Sequence, residues 1–243
     1  MKKGDNYLKF ENPRTFNQLG GQYICMRKVV LTSVVIVILQ FLAAVYLYPS
    51  MPDRMAIHWG MDGTANGYGS KLMGLFLIPV ISAVFLPLLL LLPRLDPSNG
   101  INRFSDDYNL FVLGALGYMA YINGLSLTWN LGWRFDFGRM LAPVMGVGFY
   151  GLGVLMGKAR LNWFMGIKTP WTLSSEIVWD KTHALGGRLF KASGLIAFVG
   201  VFFRGWIALL LMIAPLMVAS IYLIYYSYME YQKESKDSTT LIN

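Results

Sequence analysis

The chain has 243 residues, 55% of them hydrophobic and only 14% charged, with a formal net charge of +8. A soluble domain carries about 25% charged residues; here the charge sits in short blocks between apolar runs too long to hide in a soluble core of this size. The basic residues flank those runs, as in membrane proteins, and no separate Lys/Arg stripe with interleaved aromatics exists, which argues against direct nucleic-acid binding.

The N-terminal segment, residues 1–28, is polar and basic and is assigned no firm structure. Its Cys25 is the single cysteine of the chain, so an internal disulfide and a Cys-based metal cluster are excluded; it is read as an inert or occasionally acylated juxtamembrane thiol. A bilayer core about 30 Å thick needs roughly 20 apolar helical residues. Residues 29–48 supply the first such run. It exceeds the 7–15 residues of a signal-peptide core and is read as a retained anchor.

Further runs cover 72–92, 110–131, 140–157 and 206–229, and a shorter one, 189–203, carries Lys191, which can snorkel toward the headgroups. The reading is an all-α membrane bundle of about six transmembrane helices. Lys and Arg concentrate in residues 1–28 and 158–191, with six in each; with Arg94, Arg103, Lys233 and Lys236 that side carries 16, against five in the alternate connections. That bias predicts cytoplasmic N- and C-termini. The organisation is a cytoplasmic segment 1–28, a first helical pair 29–92 with a structured outer loop 51–71, a helical region 93–229 with an ordered inner loop 158–188, and a polar cytoplasmic tail 230–243 expected to fray.

Inside the spans, Gly146, Gly153 and Gly157 share one helix face and allow close helix approach. Packing within the chain is favoured over a homo-oligomer seam. Asn123, Ser126 and Asn130 share a face of the third span and are read as interhelical glue; a solute path is the alternative, although no ionisable residue is found deep in a span. Pro79, Pro87, Pro143 and Pro215 are expected kinks.

Two connections are richer than ordinary loops. In 51–71, Gly60, Gly63, Gly67 and Gly69 imply tight bends, while Ile57, Trp59 and Tyr68 offer apolar surface. This is either a ligand contact through His58, Trp59, Tyr68 and Lys71 or a hairpin packed on the helix tops. In 158–188, Thr172 or Ser174 followed by Glu176 suggests a helix start, with a short interfacial helix from Ser175 to His183. Trp163, Trp171 and Trp179 suit the membrane interface. His58 and His183 fall on opposite faces, so they cannot share a metal or a triad, and a surface hydrogen bond to Asp180 or Glu176 is the reading for His183. No catalytic motif, metal set or cofactor site is found; the chain is read as not an enzyme.

Pro52, Ile57-His58-Trp59, Gly63 and Gly67-Tyr68-Gly69-Ser70-Lys71 resemble the short domain of unknown function that often precedes SdpI domains. Asn66 stands where that domain often has an acidic residue. Asn162, Gly166-Ile167, Thr169-Pro170-Trp171-Thr172, Trp179, Thr182-His183, Gly186-Gly187 and Gly194 resemble the SdpI-family signature, with Lys168 where Arg is usual. The resemblance implies a multi-pass protein of the bacterial cell membrane. It implies immunity to a secreted toxic peptide, met at the outer loop, and signalling by capture of a cytosolic transcriptional repressor. The repressor would dock on Asn162, Lys168, Thr169, Pro170, Trp171, Thr172, Trp179 and His183. A small-solute transporter or export accessory subunit using the Asn123–Asn130 face, and a structural membrane protein acting through a Gly153–Gly157 homo-oligomer seam, are the alternative readings; membrane lipid is a partner in each.

Overall fold

A computed structural model describes residues 16–240, with side chains from Arg27 to Lys236; residues 1–15, the side chain of Cys25 and the last three residues lie outside that description. The elements in order are α1 (Phe16–Leu47), a hairpin of β1 (Arg54–Trp59) and β2 (Ala65–Ser70), α2 (Lys71–Leu95), α3 (Ser105–Asn130), α4 (Phe137–Met156), a short α5 (Pro170–Ser174), α6 (Glu176–Val199) and α7 (Gly205–Thr240).

Among the described residues, six helical segments are long and apolar enough to cross a bilayer: Arg27–Ser50, Lys71–Leu95, Ile101–Asn130, Phe137–Met156, Glu176–Phe202 and Gly205–Lys236. Many large apolar side chains on them are exposed, among them Leu31, Leu88, Leu110, Leu195 and Ile221. In a chain this hydrophobic such a surface faces lipid, where helices satisfy their own backbone groups.

Three expectations need correction. The first helix starts at Phe16, ahead of its apolar run. The last does not fray after residue 229 but stays helical to Thr240. The separate interfacial helix does not exist, because α6 runs unbroken from Glu176 through Gly186 and Gly187 to Val199. Those two glycines leave the helix intact because they are packing points.

The bundle divides into α1–α3 and α4–α6–α7. Gly187 of α6 lies so close to α4 that an added Cβ would stand 2.8 Å from the Gly153 carbonyl oxygen and 3.1 Å from the Gly157 nitrogen. At Gly153 a Cβ would meet the Lys191 nitrogen at 2.7 Å, and at Gly194 the Gly146 oxygen at 2.6 Å. The glycine face of α4 is therefore spent on α6 inside one chain, and small residues let the two backbones approach as membrane helices do.

This seam also sets a level. α4 ends at Met156, so residues 176–186 of α6 stand beyond it by about 16 Å at 1.5 Å per residue. With the connections beside them they form a cap at this end; the hairpin lies at the other.

Gly153→Ala and Gly187→Ala should each lower thermal stability in detergent by about 1–3 kcal/mol, the usual cost of overpacking. Gly148 has nothing within 4 Å of its Cβ position, so Gly148→Ala should be neutral; equal losses at all three positions would sink the seam.

Candidate functional site

The hairpin end is built on α3. β1 and β2 pair antiparallel, Met55 opposite Gly69 and Ala56 opposite Tyr68, with an irregularity between Ala56 and His58. The outer edge of β1 is taken by a side chain. The Asn130 Oδ1 accepts from the Ala56 N–H at 2.7 Å, and its Nδ2 donates to the Ala56 carbonyl at 3.0 Å and to the Ser126 carbonyl at 2.9 Å. The amide thus acts as one peptide unit of a third strand, satisfying backbone groups in a position closed to water. Of the polar face on α3, Asn130 is glue for the hairpin, while Asn123 is buried with its Oδ1 unpartnered.

Trp59 stacks on Phe137 with ring centroids 3.9 Å apart and meets Trp129 edge-on at 5.9 Å. Gly63, at φ +76°, sits against Asp136, and its carbonyl accepts from the Phe137 N–H at 3.3 Å. A Cβ there would strain the turn and strike the aspartate. Asp62 closes the turn by accepting from the Thr64 hydroxyl at 2.7 Å and its N–H at 3.1 Å, which lowers its pKa below the usual aspartate value.

The ligand-contact residues expected here therefore separate. His58, whose Nδ1 lies 2.6 Å from the Asn66 Oδ1, and Tyr68 are exposed. Lys71 is held by Asp53 at 3.1 Å, and the Trp59 ring is committed to packing.

The cap end is held by polar side chains of the 158–175 connection. Asn162 is fully buried. Its Oδ1 accepts from the N–H groups of Phe164 and Met165, and its Nδ2 donates to the carbonyls of Arg160 and Met165. Thr169 and Thr172 form a reciprocal cap at the start of α5, with Pro170 in its first turn. The Thr169 hydroxyl also lies 3.1 Å from that of Ser227 on α7. Ser175 caps α6. These caps, rather than Thr172 or Ser174 with Glu176, open the two helices.

Trp179 and His183 depart most from the sequence reading. Trp179 is completely buried and donates from Nε1 to the Ala159 carbonyl at 2.9 Å, so it belongs to the core of the cap and not to the lipid interface. His183 is 1% exposed and stacks on Trp179 at 3.8 Å. Its Nε2 accepts from the Ile167 N–H at 3.0 Å, so Nδ1 carries the proton and donates to the Trp179 carbonyl at 2.8 Å. It makes no surface hydrogen bond to Asp180 or Glu176, which pair with Arg160 at 3.7 Å and Arg103 at 3.9 Å. Gly166, at φ +114°, leaves the room His183 needs.

Of the expected partner-binding set, Asn162, Thr169, Thr172, Trp179 and His183 are thus buried, whereas Lys168 and Pro170 are exposed and Trp171 is half-buried against Tyr228 at 5.2 Å. Lys168 donates to the carbonyls of Trp163 and Phe164 at 3.3 and 3.2 Å. A compact ammonium serves two divergent carbonyls without a planar fork.

Sequence reasoning missed Asp96, a tie between the two halves at the cap end. Its carboxylate accepts from the N–H groups of Ile101 and Trp163 and from Ser98. Beside it, Ser98 donates to the Leu161 carbonyl at 3.0 Å. Burial alone pushes the Asp96 pKa up, but the hydrogen bonds outweigh it and the net pKa is lowered. The signal was legible: Asp96-Pro97-Ser98-Asn99-Gly100 is turn chemistry at the end of a span. Glu230 was missed too; it is buried and binds Lys181 at 2.8 Å and Lys233 at 2.7 Å. It was read as the first residue of a frayed tail. Among the described residues no group of three His, Cys, Asp or Glu side chains could hold a metal ion.

Two outcomes follow. Asn130→Leu should leave the Ala56 backbone groups unpaired, costing about 1–3 kcal/mol per buried group. Amide exchange should then accelerate in the hairpin and not in the helices, and unchanged hairpin protection would refute the clamp. Asp96→Asn should be less stable than the parent at neutral pH. A lowered native pKa gives stability that is present above the unfolded-state value and lost as pH falls through the native one, so acid titration should make the two proteins converge.

Comparison with known proteins places these two ends. The model described as Domain of unknown function (DUF1648) matches residues 35–83, the hairpin with parts of both flanking helices. That of the SdpI/YfhL protein family matches residues 158–227, the cap with α6 and most of the α7 span. The chain is 30% identical over 205 residues to the Immunity protein SdpI of Bacillus subtilis (strain 168), covering 83% of this chain and 95% of that protein. No solved structure matches. A six-span bundle with a clamped hairpin at one end and a helical cap at the other, aligned along nearly the whole of that relative, belongs to the SdpI/YfhL family and is an SdpI-like multi-pass membrane protein.

Proposed function

We propose that the chain gives its cell immunity to a secreted toxic peptide, met at the hairpin, and signals by holding a cytosolic transcriptional repressor on the cap. The reading rests on kinship with an immunity protein, and the observation that carries it in the molecule is the order of both ends. A hairpin fixed by Asn130, Trp59 and Phe137 presents His58 and Tyr68 on a rigid mount, and preorganised side chains bind without the entropy cost of ordering a loop. The cap presents Lys168, Pro170 and Trp171 in the same way.

In this reading the hairpin faces outward and the cap and both termini face the cytoplasm of the cell membrane. The basic bias of the segments at the cap end supports that orientation. The buried motif residues Asn162, Thr172, Trp179 and His183 act by shaping the cap, and the repressor touches what they hold up.

Survival tests the proposal. A bacterium sensitive to an SDP-type toxic peptide is made to express the parent, Tyr68→Ala or Trp171→Ala at matched membrane levels, and the peptide is titrated. The parent should protect. Tyr68→Ala should lower the tolerated concentration by roughly tenfold, the scale of losing one aromatic anchor, and Trp171→Ala should protect as the parent does. Absence of protection by a correctly inserted parent would refute immunity; loss in Trp171→Ala alone would move the peptide's site to the cap.

A further inference from the structure

We propose that Arg188 and Lys191, one turn apart on α6, hold the phosphate of an anionic phospholipid in the leaflet at the cap end. The cations of the cap itself are largely matched: Lys158 with Asp107 at 2.6 Å, Arg160 with Asp180, Lys181 and Lys233 with Glu230, and Arg103 with Glu176. Arg188 and Lys191 have neither an ion pair nor a hydrogen bond among the described residues.

Their depth is fixed by packing. Gly187 lies against Gly153 and Gly157, at the end of α4, and the Lys191 stem runs across Gly153, with its Cγ 2.9 Å from that glycine's Cβ position. On α7 the same level is marked by Leu223, 3.2 Å from the Cβ position of Gly186. Around it Tyr222 and Tyr225 are 48% and 59% exposed, a tyrosine band of the kind that collects at a membrane interface. The far interface is marked by Phe202, 74% exposed, and Trp206, 63% exposed.

Arg188 to Phe202 spans about 21 Å of helix, shorter than a hydrocarbon core of about 30 Å. Arg188 therefore reaches the cap-end headgroups by extending its side chain. It lies exposed between Ala184 and Ala192, whose small side chains leave the guanidinium open to the lipid side. Two uncompensated cations at the edge of an apolar slab require a counter-charge. At that depth the abundant one is a lipid phosphate, which guanidinium and ammonium groups both bind by charge-assisted hydrogen bonds.

The test is lipid retention. The full chain is placed in nanodiscs of phosphatidylcholine containing phosphatidylglycerol, released, and weighed by native mass spectrometry while phosphatidylglycerol is titrated. The parent should keep phosphatidylglycerol in preference to phosphatidylcholine. Arg188→Gln with Lys191→Gln should weaken that preference roughly tenfold or more, at about 1 kcal/mol per interfacial cation. Arg188→Lys with Lys191→Arg, which keeps both charges, should retain it. No preference in the parent, an undiminished preference in the glutamine variant, or its loss in the charge-conserving variant would each overturn the site.

Discussion

The close approach of α4 and α6 is the contact on which the rest of this bundle depends. Where Gly153 meets Gly187 and Gly146 meets Gly194, main-chain atoms replace side chains at the interface. Within lipid there is no hydrophobic drive to bring helices together, so fit and dispersion must supply it. The contact also fixes relative height. Because Gly187 is pinned at the end of α4, the first turns of α6 project past the other helix, and the 158–175 connection gains a wall to pack on. Trp179 and His183 lie on that projecting stretch, so the cap is a consequence of where the glycines fall.

Polar side chains then complete both ends. A connection at the edge of a bilayer must find partners for its backbone groups, and buried amides left unpaired are costly. Asn130 does this for β1, Asn162 for the turn at residues 163–165, His183 for Ile167 and Asp96 for Ile101 and Trp163. Each is a single residue that bridges segments distant in sequence or ties a loop to itself. Neutral His183 suits its place: a proton on Nε2 would set a second donor against the Ile167 N–H and break the contact.

Hydropathy made the six spans legible, since apolar runs of sufficient length have few other uses. The glycine face of α4 was legible as a packing face, and its intramolecular partner follows from the matching glycines of α6. The extent of α6 was hidden because its first turns, with Glu176, Asp180 and Lys181, are polar where they leave the bundle, and hydropathy does not distinguish a projecting helix from a loop. His183 was misread for a related reason. A histidine near two carboxylates on a helix resembles a surface residue, and the burial that decides its role comes from the far end of the loop, at Gly166 and Ile167. The turn at Asp96 and the polar face of Asn130 were legible, but their partners, Trp163 and Ala56, lie far off in sequence, and no local period marks such a contact.

The motif residues divide by physical task. Those with short polar or flat ring side chains, such as Asn162, Thr172, Trp179 and His183, are interior and satisfy backbone or fill space. Those left at the surface, Lys168, Pro170 and Trp171, stand on that interior. Lys168 belongs to both groups, because its stem is exposed while its ammonium holds two carbonyls of the turn. A change at a buried member therefore acts on any surface contact through displacement of the loop, and a change at Trp171 acts directly. At the hairpin the same division separates Trp59, stacked on Phe137, from Tyr68, which is exposed. A signature of this kind specifies a mount and leaves few of its residues free, so whatever this surface contacts meets the exposed positions that the mount holds in place.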